Sequence, residues 1–467
     1  MYAVEFSKSM TNYESSIEEK YKKINGIFYT DLFLADKMIK ELKLDKDSII
    51  IDPCCGTGSF LVSALVNKYK NIYGVDKDRR AIEFCKQHVE SGLVRTYDTL
   101  ANSGDDILKT IGLDDKVDCV IGNPPYVPIA DGVVLNNCDF KFMEKVRSYG
   151  NNLFVAALLR AFELAKENAI ISYIIPKNFL HISSYSGLRK YILENKQIVS
   201  IIDLGVYFKK VRGEQIILTI KNSLPNNNNI DLKILSNGKF KRLFSVNQSF
   251  YTDNILLFRG KSDFNVYNKL SSAYKTLGDL CAGYVGRGKS RSYSAVVGKD
   301  IRKFGYKNRV TPNEGNTILM QNIYSAESGI IAAFGGTLEA AQTVTIFTDG
   351  NKDKCKYILG ILHSRLCNFY LYKYCYNYSR LTMHTDAKYL KKIPLELKDE
   401  NDAKYKDLVN LVETIEQTKY MSEEWYDLME ELNRKVYKIY RINKTEIQFI
   451  ESEMRLIQSR RWFKDAE

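Results

Sequence analysis

The sequence predicts an α/β protein: a doubly wound, mainly parallel sheet in the first half and a mixed α+β second half. Three observations predict this. Short apolar runs recur up to Asn123, each closing on a polar residue: Ile49-Ile50-Ile51 before Asp52, Asn71 to Val75 before Asp76, Leu93 to Tyr97 before Asp98, and Val117 to Ile121 before Asn123. Helical patterns separate these runs, and strand alternating with helix reads as parallel crossover units. From about position 265 this alternation gives way to short strands, glycines and aromatics, and then, from about 401, to apolar residues at helical spacing.

The elements follow in order. Residues 1–24 are polar and charged and predict a helix plus a loop. Gly26-Ile27-Phe28-Tyr29-Thr30-Asp31 leads into a helix over Leu32–Leu42, which Thr30 or Asp31 can cap. The first strand, Ser48–Asp52, runs into Pro53-Cys54-Cys55-Gly56-Thr57-Gly58-Ser59-Phe60 and a helix through Lys68. The strand before Asp76 is followed by a helix from Arg79 to about Glu90. After Val117–Ile121 comes the turn Asn123-Pro124-Pro125-Tyr126 and a polar loop over 128–150. A helix over Asn152–Lys166, a strand over Ala169–Pro176, a helix over Leu188–Asn195 and strands over Ile198–Leu204, Gln215–Lys221 and Ile230–Ile234 complete this half, with Asn226–Asn229 as a hairpin loop. Cys355–Tyr372 reads as one helix. Leu408, Leu411, Val412 and Ile415, then Leu428, Leu432, Val436 and Ile439, mark terminal helices. The domains read as 1–245, 246–400 and 401–467.

A length of 467 residues with 45% hydrophobic content supports two domains with real cores. The formal charge of +12 suggests a polyanionic partner, most simply nucleic acid. Nine scattered cysteines without zinc spacing, and no leader pattern, suit a reducing cytoplasm. No apolar run is long enough to span a membrane. The four histidines sit in no ligand pattern, so no metal site is expected.

Two places carry chemistry. In Asn123-Pro124-Pro125-Tyr126 the prolines remove two backbone donors and stiffen the turn. The Asn123 side-chain oxygen and the Pro124 carbonyl are two acceptors for the N–H bonds of an exocyclic amine, and the Tyr126 ring can stack on the base that carries it. Upstream, Asp52-Pro53-x-x-Gly56-x-Gly58 lets the backbone approach a ligand closely. Its acid disfavours a pyrophosphate and attracts an ammonium or a sulfonium, both of which S-adenosylmethionine carries. Asp76 is placed for ribose hydroxyls, with helix capping as a compatible role. A third acid should meet the adenine amine of that cofactor; Asp98 and Asp106 both qualify.

The order Gly26-Ile27-Phe28-Tyr29-Thr30, Asp52-Pro53-x-x-Gly56-x-Gly58, Asn123-Pro124-Pro125-Tyr126 and an aromatic near Phe208 resembles the γ-class amino-methyltransferases of DNA. It is most similar to the TaqI-like N6-adenine enzymes with a C-terminal specificity domain. The second half is similar more loosely, in Tyr357–Phe369 and Tyr389-Leu390-Lys391-Lys392-Ile393-Pro394. The resemblance implies a Rossmann-like S-adenosylmethionine-dependent catalytic domain, a target-recognition domain and a helical C-terminal support. It implies that Phe28, Tyr29 and Thr30 touch the methionine end of the cofactor, that Asp52, Gly56 and Gly58 line it, and that Asp76 holds its ribose. It implies that Asn123 and the Pro124 carbonyl grip N6 of a flipped adenine, between Tyr126 and an opposing aromatic, Phe208 or Tyr207. Cys54 and Cys55 lie in the cofactor turn, the wrong place for the nucleophile of cytosine-C5 methylation.

In the second half, Arg287, Lys289 and Arg291, in the loop ending at Tyr293, suit DNA contact, as does Lys299–Arg309. Lys373–Arg380 suits either a DNA channel or ordinary packing. The expected partner is double-stranded DNA. With no nuclease motif before Gly26, a stand-alone modification enzyme is expected, either paired with a separate cognate restriction endonuclease or an orphan. An RNA N6-adenine or N2-guanine methyltransferase and a non-catalytic specificity subunit are the alternatives.

Overall fold

The computed structural model describes residues 2–25, 28–129, 139–208, 213–281, 283–308, 312 and 314–458. They form two units, Met1–Ile255 and Leu256–Glu467. The first runs α1 (Tyr2–Ser16), α2 (Glu19–Asn25), α3 (Leu32–Leu42), β1 (Ile50–Asp52), α4 (Ser59–Val66), β2 (Ile72–Asp76), α5 (Arg79–Cys85), β3 (Val94–Thr96), α6 (Gly104–Thr110) and β4 (Val117–Gly122). It continues with α7 (Phe140–Tyr149), α8 (Leu153–Leu164), β5 (Ala165–Pro176), α9 (Ser186–Asn195), β6 (Gln197–Gly205), β7 (Gln215–Lys221), β8 (Asn229–Ser236) and β9 (Lys239–Asn247).

The nine strands form one sheet in the order β3-β2-β1-β4-β5-β7-β6-β8-β9. From β1 to β5 every pairing is parallel; β7 lies antiparallel to both β5 and β6. The chain steps outward from β1 to β3, then returns to place β4 on the other side of β1. The order therefore reverses between β1 and β4, and the crevice beyond their carboxyl ends is where open α/β sheets bind ligands. Phe6, Leu34, Met38, Phe60, Leu61 and Ile82 build a core between sheet and helices. Helix α8, buried along nearly its whole length, packs against α6, α7 and β5.

Several sequence expectations shift. The 128–150 loop contains α7, capped by Asp139 and buried through Phe142, Met143 and Val146; its residues 130–138 lie outside the described residues. Charged residues between those apolar positions masked the helix. Asn226–Asn229 is not a hairpin loop: β8 pairs in parallel with β6, so the chain crosses over β6. The hairpin is β8–β9, closed by Asn237-Gly238 with φ of 48° and 69°, the two positive values that a type I′ turn requires. The Arg79 helix stops at Cys85. Residues 1–24 form two helices. The first unit reaches beyond 245 because buried Gln248 bonds to Leu193 O, Lys196 O and Ile198 N, and Asp253 pairs with Arg189 at 2.7 Å.

The second unit comprises α10 (Lys261–Ala273), α11 (Leu277–Leu280), β10 (Val285–Arg287), β11 (Ile301–Arg302), β12 (Gly305–Tyr306), β13 (Thr317–Gln321), β14 (Ala332–Phe334) and β15 (Val344–Thr348). Helices α12 (Lys352–His363), α13 (Arg365–Tyr370), α14 (Ala387–Leu390), α15 (Ala403–Gln417), α16 (Glu423–Ile439) and α17 (Lys444–Arg455) follow. Four strands form an antiparallel sheet, β10-β15-β13-β14. The helix expected over Cys355–Tyr372 is broken at Ser364, whose side chain caps α13. Helices α15 to α17 belong to the same unit: α15 packs on α12, and Arg365 on α13 pairs with Glu430 and Glu451 on α16 and α17. Of Lys373–Arg380, residues Lys373–Ser379 are buried packing, and Arg380 alone is exposed. Lys373, 1% exposed, pairs with Asp263 and Glu453, and the Tyr374 and Tyr378 hydroxyls donate to Asp263. Among the described residues no helix is long and apolar enough to cross a membrane.

Gly58 opens α4 at φ 89°, and a Cβ there would lie 2.4 Å from Cys85 Sγ. Gly58→Ala should destabilise the first unit by about 2 kcal/mol, combining left-handed strain with the clash. Urea unfolding reads this, and Cys85→Ala should recover the steric part only.

Candidate active site

Asp52 ends β1, 1% exposed, and its Oδ1 accepts from Cys54 N at 3.1 Å. Burial pushes its carboxyl well above the usual range. Gly122 ends the neighbouring β4, and a Cβ at that position would fall 2.6 Å from Asp52 Oδ1. Asp76 ends β2. Its Oδ2 accepts from Gly56 N at 2.8 Å and its Oδ1 from Asp78 N at 2.8 Å, so one carboxylate ties the glycine turn to the next loop. Burial raises this carboxyl too, against the pull of those two hydrogen bonds. Gly56 needs its glycine: φ is 52°, and a Cβ would meet Tyr29 Cε1 at 3.0 Å.

Asp52, Gly56 and Asp76 wall a cavity of about 260 Å³ at the switch point, together with Phe28, Tyr29, Thr30, Asp98, Asn123 and Pro125; Pro124, Tyr126 and Phe208 are not part of its lining. Asp98 Oδ1 accepts from Leu100 N at 3.1 Å, which turns the chain after β3. Asp106 lies elsewhere: it sits exposed in the first turn of α6 and accepts from the Ser103 hydroxyl at 2.6 Å, a bond that lowers its carboxyl. Gly58 serves helix packing, as described above. Gly26 and Ile27 lie outside the described residues. The cavity also uses residues that strand-end reasoning missed, including Tyr21, Phe60, Asp78, Thr99 and Leu100. Asp78 was legible as the cap of α5, and Thr99 and Leu100 directly follow the third strand-end acid.

Asn123 is held on both sides. Its Nδ2 donates to Phe28 O at 3.0 Å, and its Oδ1 accepts from the Tyr126 hydroxyl, which also lies 3.0 Å from Ile174 O. Burial pushes the Tyr126 phenol up, so it stays a donor. Pro124 is buried beside it. Tyr126, Tyr207 and Phe208 pack on one core cluster. The Tyr207 hydroxyl donates to Asp31 Oδ2 at 2.8 Å, whereas the half-buried Phe208 has no polar group to commit. The N–H groups of both residues point at Gln215 Oε1, at 3.2 and 3.4 Å. Lys209 and Lys210 lie outside the described residues.

The lining suits S-adenosylmethionine. Asp52, Asp76, Asp78 and Asp98 offer negative charge and free lone pairs to ammonium, sulfonium and hydroxyl groups. The buried Thr30 Oγ1 has no hydrogen-bond partner among the described residues. Phe28, Tyr29 and Phe60 supply apolar surface.

On the second unit, Arg287 ends β10 half-exposed, its guanidinium 3.3 Å from Asp386. Lys289 and Arg291 are exposed, as is Tyr293 beside them. Arg309, at the end of the other basic stretch, lies outside the described residues.

Asp76→Ala leaves the Gly56 and Asp78 N–H groups without their acceptor and should cost about 2–3 kcal/mol. Asp76→Asn, which keeps one acceptor oxygen, should cost less; urea midpoints distinguish the two.

Residues 70–208 match the Eco57I restriction-modification methylase family. The chain is 28% identical over 307 residues to the Type II methyltransferase M.VspI of Vibrio sp. (strain 343), covering 62% of this chain and 69% of that one. It is 29% identical over 147 residues to the adenine-specific methyltransferase BrxX of Escherichia coli O9:H4 (strain HS), covering 31% and 12%. The chain spans less than half the length of several other curated relatives it matches. A nuclease-deletion mutant of the Type ISP restriction-modification enzyme LlaGI, solved with a DNA substrate mimic, superposes with a TM-score of 0.51 at 15% identity, over 84% of this chain and 54% of that one. The fold is the Rossmann-like α/β fold of S-adenosylmethionine-dependent methyltransferases, and its residues 70–208 carry the restriction-modification methylase pattern of the Eco57I family.

Proposed function

We propose that this chain is a DNA methyltransferase of a restriction-modification system that uses S-adenosylmethionine and methylates N6 of an adenine turned out of the duplex. The observation that carries the reading is Asn123, held at the edge of the acid-lined cavity by Phe28 O and the Tyr126 hydroxyl. The methylase-type relatives support the DNA substrate, and BrxX, named adenine-specific, supports the choice of base. The finer placement, among γ-class enzymes of the TaqI-like type with a C-terminal specificity domain, rests on motif order.

When bound, S-adenosylmethionine supplies an electrophilic methyl group. Asp52 and Asp98, which line the cavity, would hold its charged and adenine ends, and Asp76 its ribose. Asn123 Oδ1, with one lone pair on the Tyr126 hydroxyl, turns the other to an N6 hydrogen, and the Pro124 carbonyl takes the second. Both bonds would draw nitrogen toward tetrahedral geometry and localise its lone pair toward the methyl; as the N–C bond formed the C–S bond would break with its pair left on sulfur, and the surplus N6 proton would pass to solvent. Tyr126 and Phe208 hold the ring from its two faces, at the stacking cost that base extrusion requires. Arg287, Lys289 and Arg291 of the second unit are proposed to meet the DNA backbone. A cytoplasmic location completes the reading, with the enzyme either paired with a separate cognate endonuclease or an orphan.

Asn123→Ala should lower labelled methyl transfer to duplex DNA by roughly a hundredfold or more, the cost of removing one preorganised hydrogen-bonding group. Unchanged transfer, or strong labelling of RNA alone, would sink the reading. Cofactor affinity should also depend on pH. In the empty cavity burial favours the protonated Asp52 carboxyl, whereas an ammonium requires the ionised form. Binding therefore releases a proton, and affinity for S-adenosylhomocysteine should rise with pH through the elevated Asp52 pKa and level off above it. Calorimetry of the unaltered protein and of Asp52→Asn, which should lose both affinity and slope, checks this.

A further inference from the structure

Residues 28–31 make three different ties within four positions. Phe28 O accepts from Asn123 Nδ2 at 3.0 Å. Tyr29 and Thr30 form part of the cavity wall. Asp31 divides its carboxylate: Oδ1 caps α3 by accepting from Leu34 N at 2.9 Å, and Oδ2 accepts from the Tyr207 hydroxyl at 2.8 Å. Tyr207 is followed directly by Phe208, with the two rings edge-to-face at 5.2 Å. Helix α3 is in turn anchored to the sheet, where Glu41 pairs with Lys233 of β8 at 2.6 Å.

We infer that Tyr207 and Asp31 are positioning residues, and that the 28–31 strut couples occupancy of the cofactor cavity to the target-base pocket. This rests on the functional reading above. The two sides of that pocket are Asn123 with Tyr126 on one, and Phe208 on the other. Asn123 is fastened to the strut through Phe28 O, and Phe208 reaches it through its neighbour Tyr207, bonded to Asp31 Oδ2. A cofactor that presses on Tyr29 and Thr30 fixes the backbone between these two anchors, so the acceptor and the opposing ring take up their spacing together. Burial, with the Asp31 carboxylate adding, raises the Tyr207 phenol and keeps it a donor throughout the working range. The strut also assigns the two aromatics different roles. Tyr207 is committed to Asp31, and Phe208 is the ring left to stack.

The experiment uses the full chain and a duplex bearing the sequence found methylated in a host that expresses it, with 2-aminopurine at the target position. Duplex affinity and 2-aminopurine fluorescence are measured with and without S-adenosylhomocysteine. In the unaltered protein S-adenosylhomocysteine should tighten duplex binding by about tenfold, a usual coupling between two sites. Tyr207→Phe keeps the ring and loses the donor. It should bind S-adenosylhomocysteine without DNA as the unaltered protein does, yet lose most of that tightening, with a raised KM for DNA. Asp31→Asn keeps one acceptor oxygen, enough to cap α3 through Leu34 N, and turns an N–H toward the Tyr207 oxygen in place of the acceptor; it should keep part of the coupling, whereas Asp31→Ala should lose it. Unchanged coupling in Tyr207→Phe would overturn the inference, as would loss of S-adenosylhomocysteine binding itself, which would mark a role in the fold. If the unaltered chain transfers no methyl to duplex DNA, the functional reading fails first, and this inference with it.

Discussion

A buried carboxylate at the reversal point of a parallel sheet is the constraint on which the first unit depends. Asp52 lies where β1 and β4 part company, and its side chain occupies the space that a Cβ at Gly122 would need. That close approach fixes where β4 ends, and hence where the Asn123 turn begins. The carboxyl carries a desolvation cost that is offset only partly by Cys54 N. The same strand ends present Asp76 and Asp98, so the sheet delivers a row of acids to one rim. Burial raises the Asp52 and Asp76 carboxyls, so a cationic ligand that favours their ionised forms offsets a cost the empty fold carries.

Asp76 shows how such a site keeps its shape without the ligand. By accepting from Gly56 and Asp78 it joins the loops after β1 and β2. Its remaining lone pairs face the cavity. A single side chain therefore supports the wall and lines the cavity, while the helix cap expected of Asp76 is made by Asp78, two residues on.

The strand-end acids and the Asn123 turn were legible because each marks a change of period: an apolar run stops and a polar residue stands at its carboxyl end. Position along a strand fixes depth in the sheet, so these residues converge whatever the intervening helices do. Other features left weaker traces. Helix α7 hides its apolar stripe among charges. The β8–β9 hairpin was announced by Asn237-Gly238, but the alternation beyond it is carried by lysine and arginine and does not look like a strand. Which neighbour β8 takes is a tertiary choice that no local signal encodes. The choice between Asp98 and Asp106 turned on whether the acid follows a strand or opens a helix. Ser103, a helix cap, held that answer.

The buried lysine of the second unit bears on how charge should be counted. Lys373 pairs with Asp263 and Glu453, and Arg365 and Lys356 are similarly occupied by glutamates. Such cations are already neutralised within the protein and release no counterions when a polyanion arrives. The ionic-strength dependence of any nucleic-acid complex then reports the exposed lysines and arginines alone, a smaller number than composition implies. A long-range field of this kind belongs to the surface, and the interior spends part of the basic residues on holding helices together.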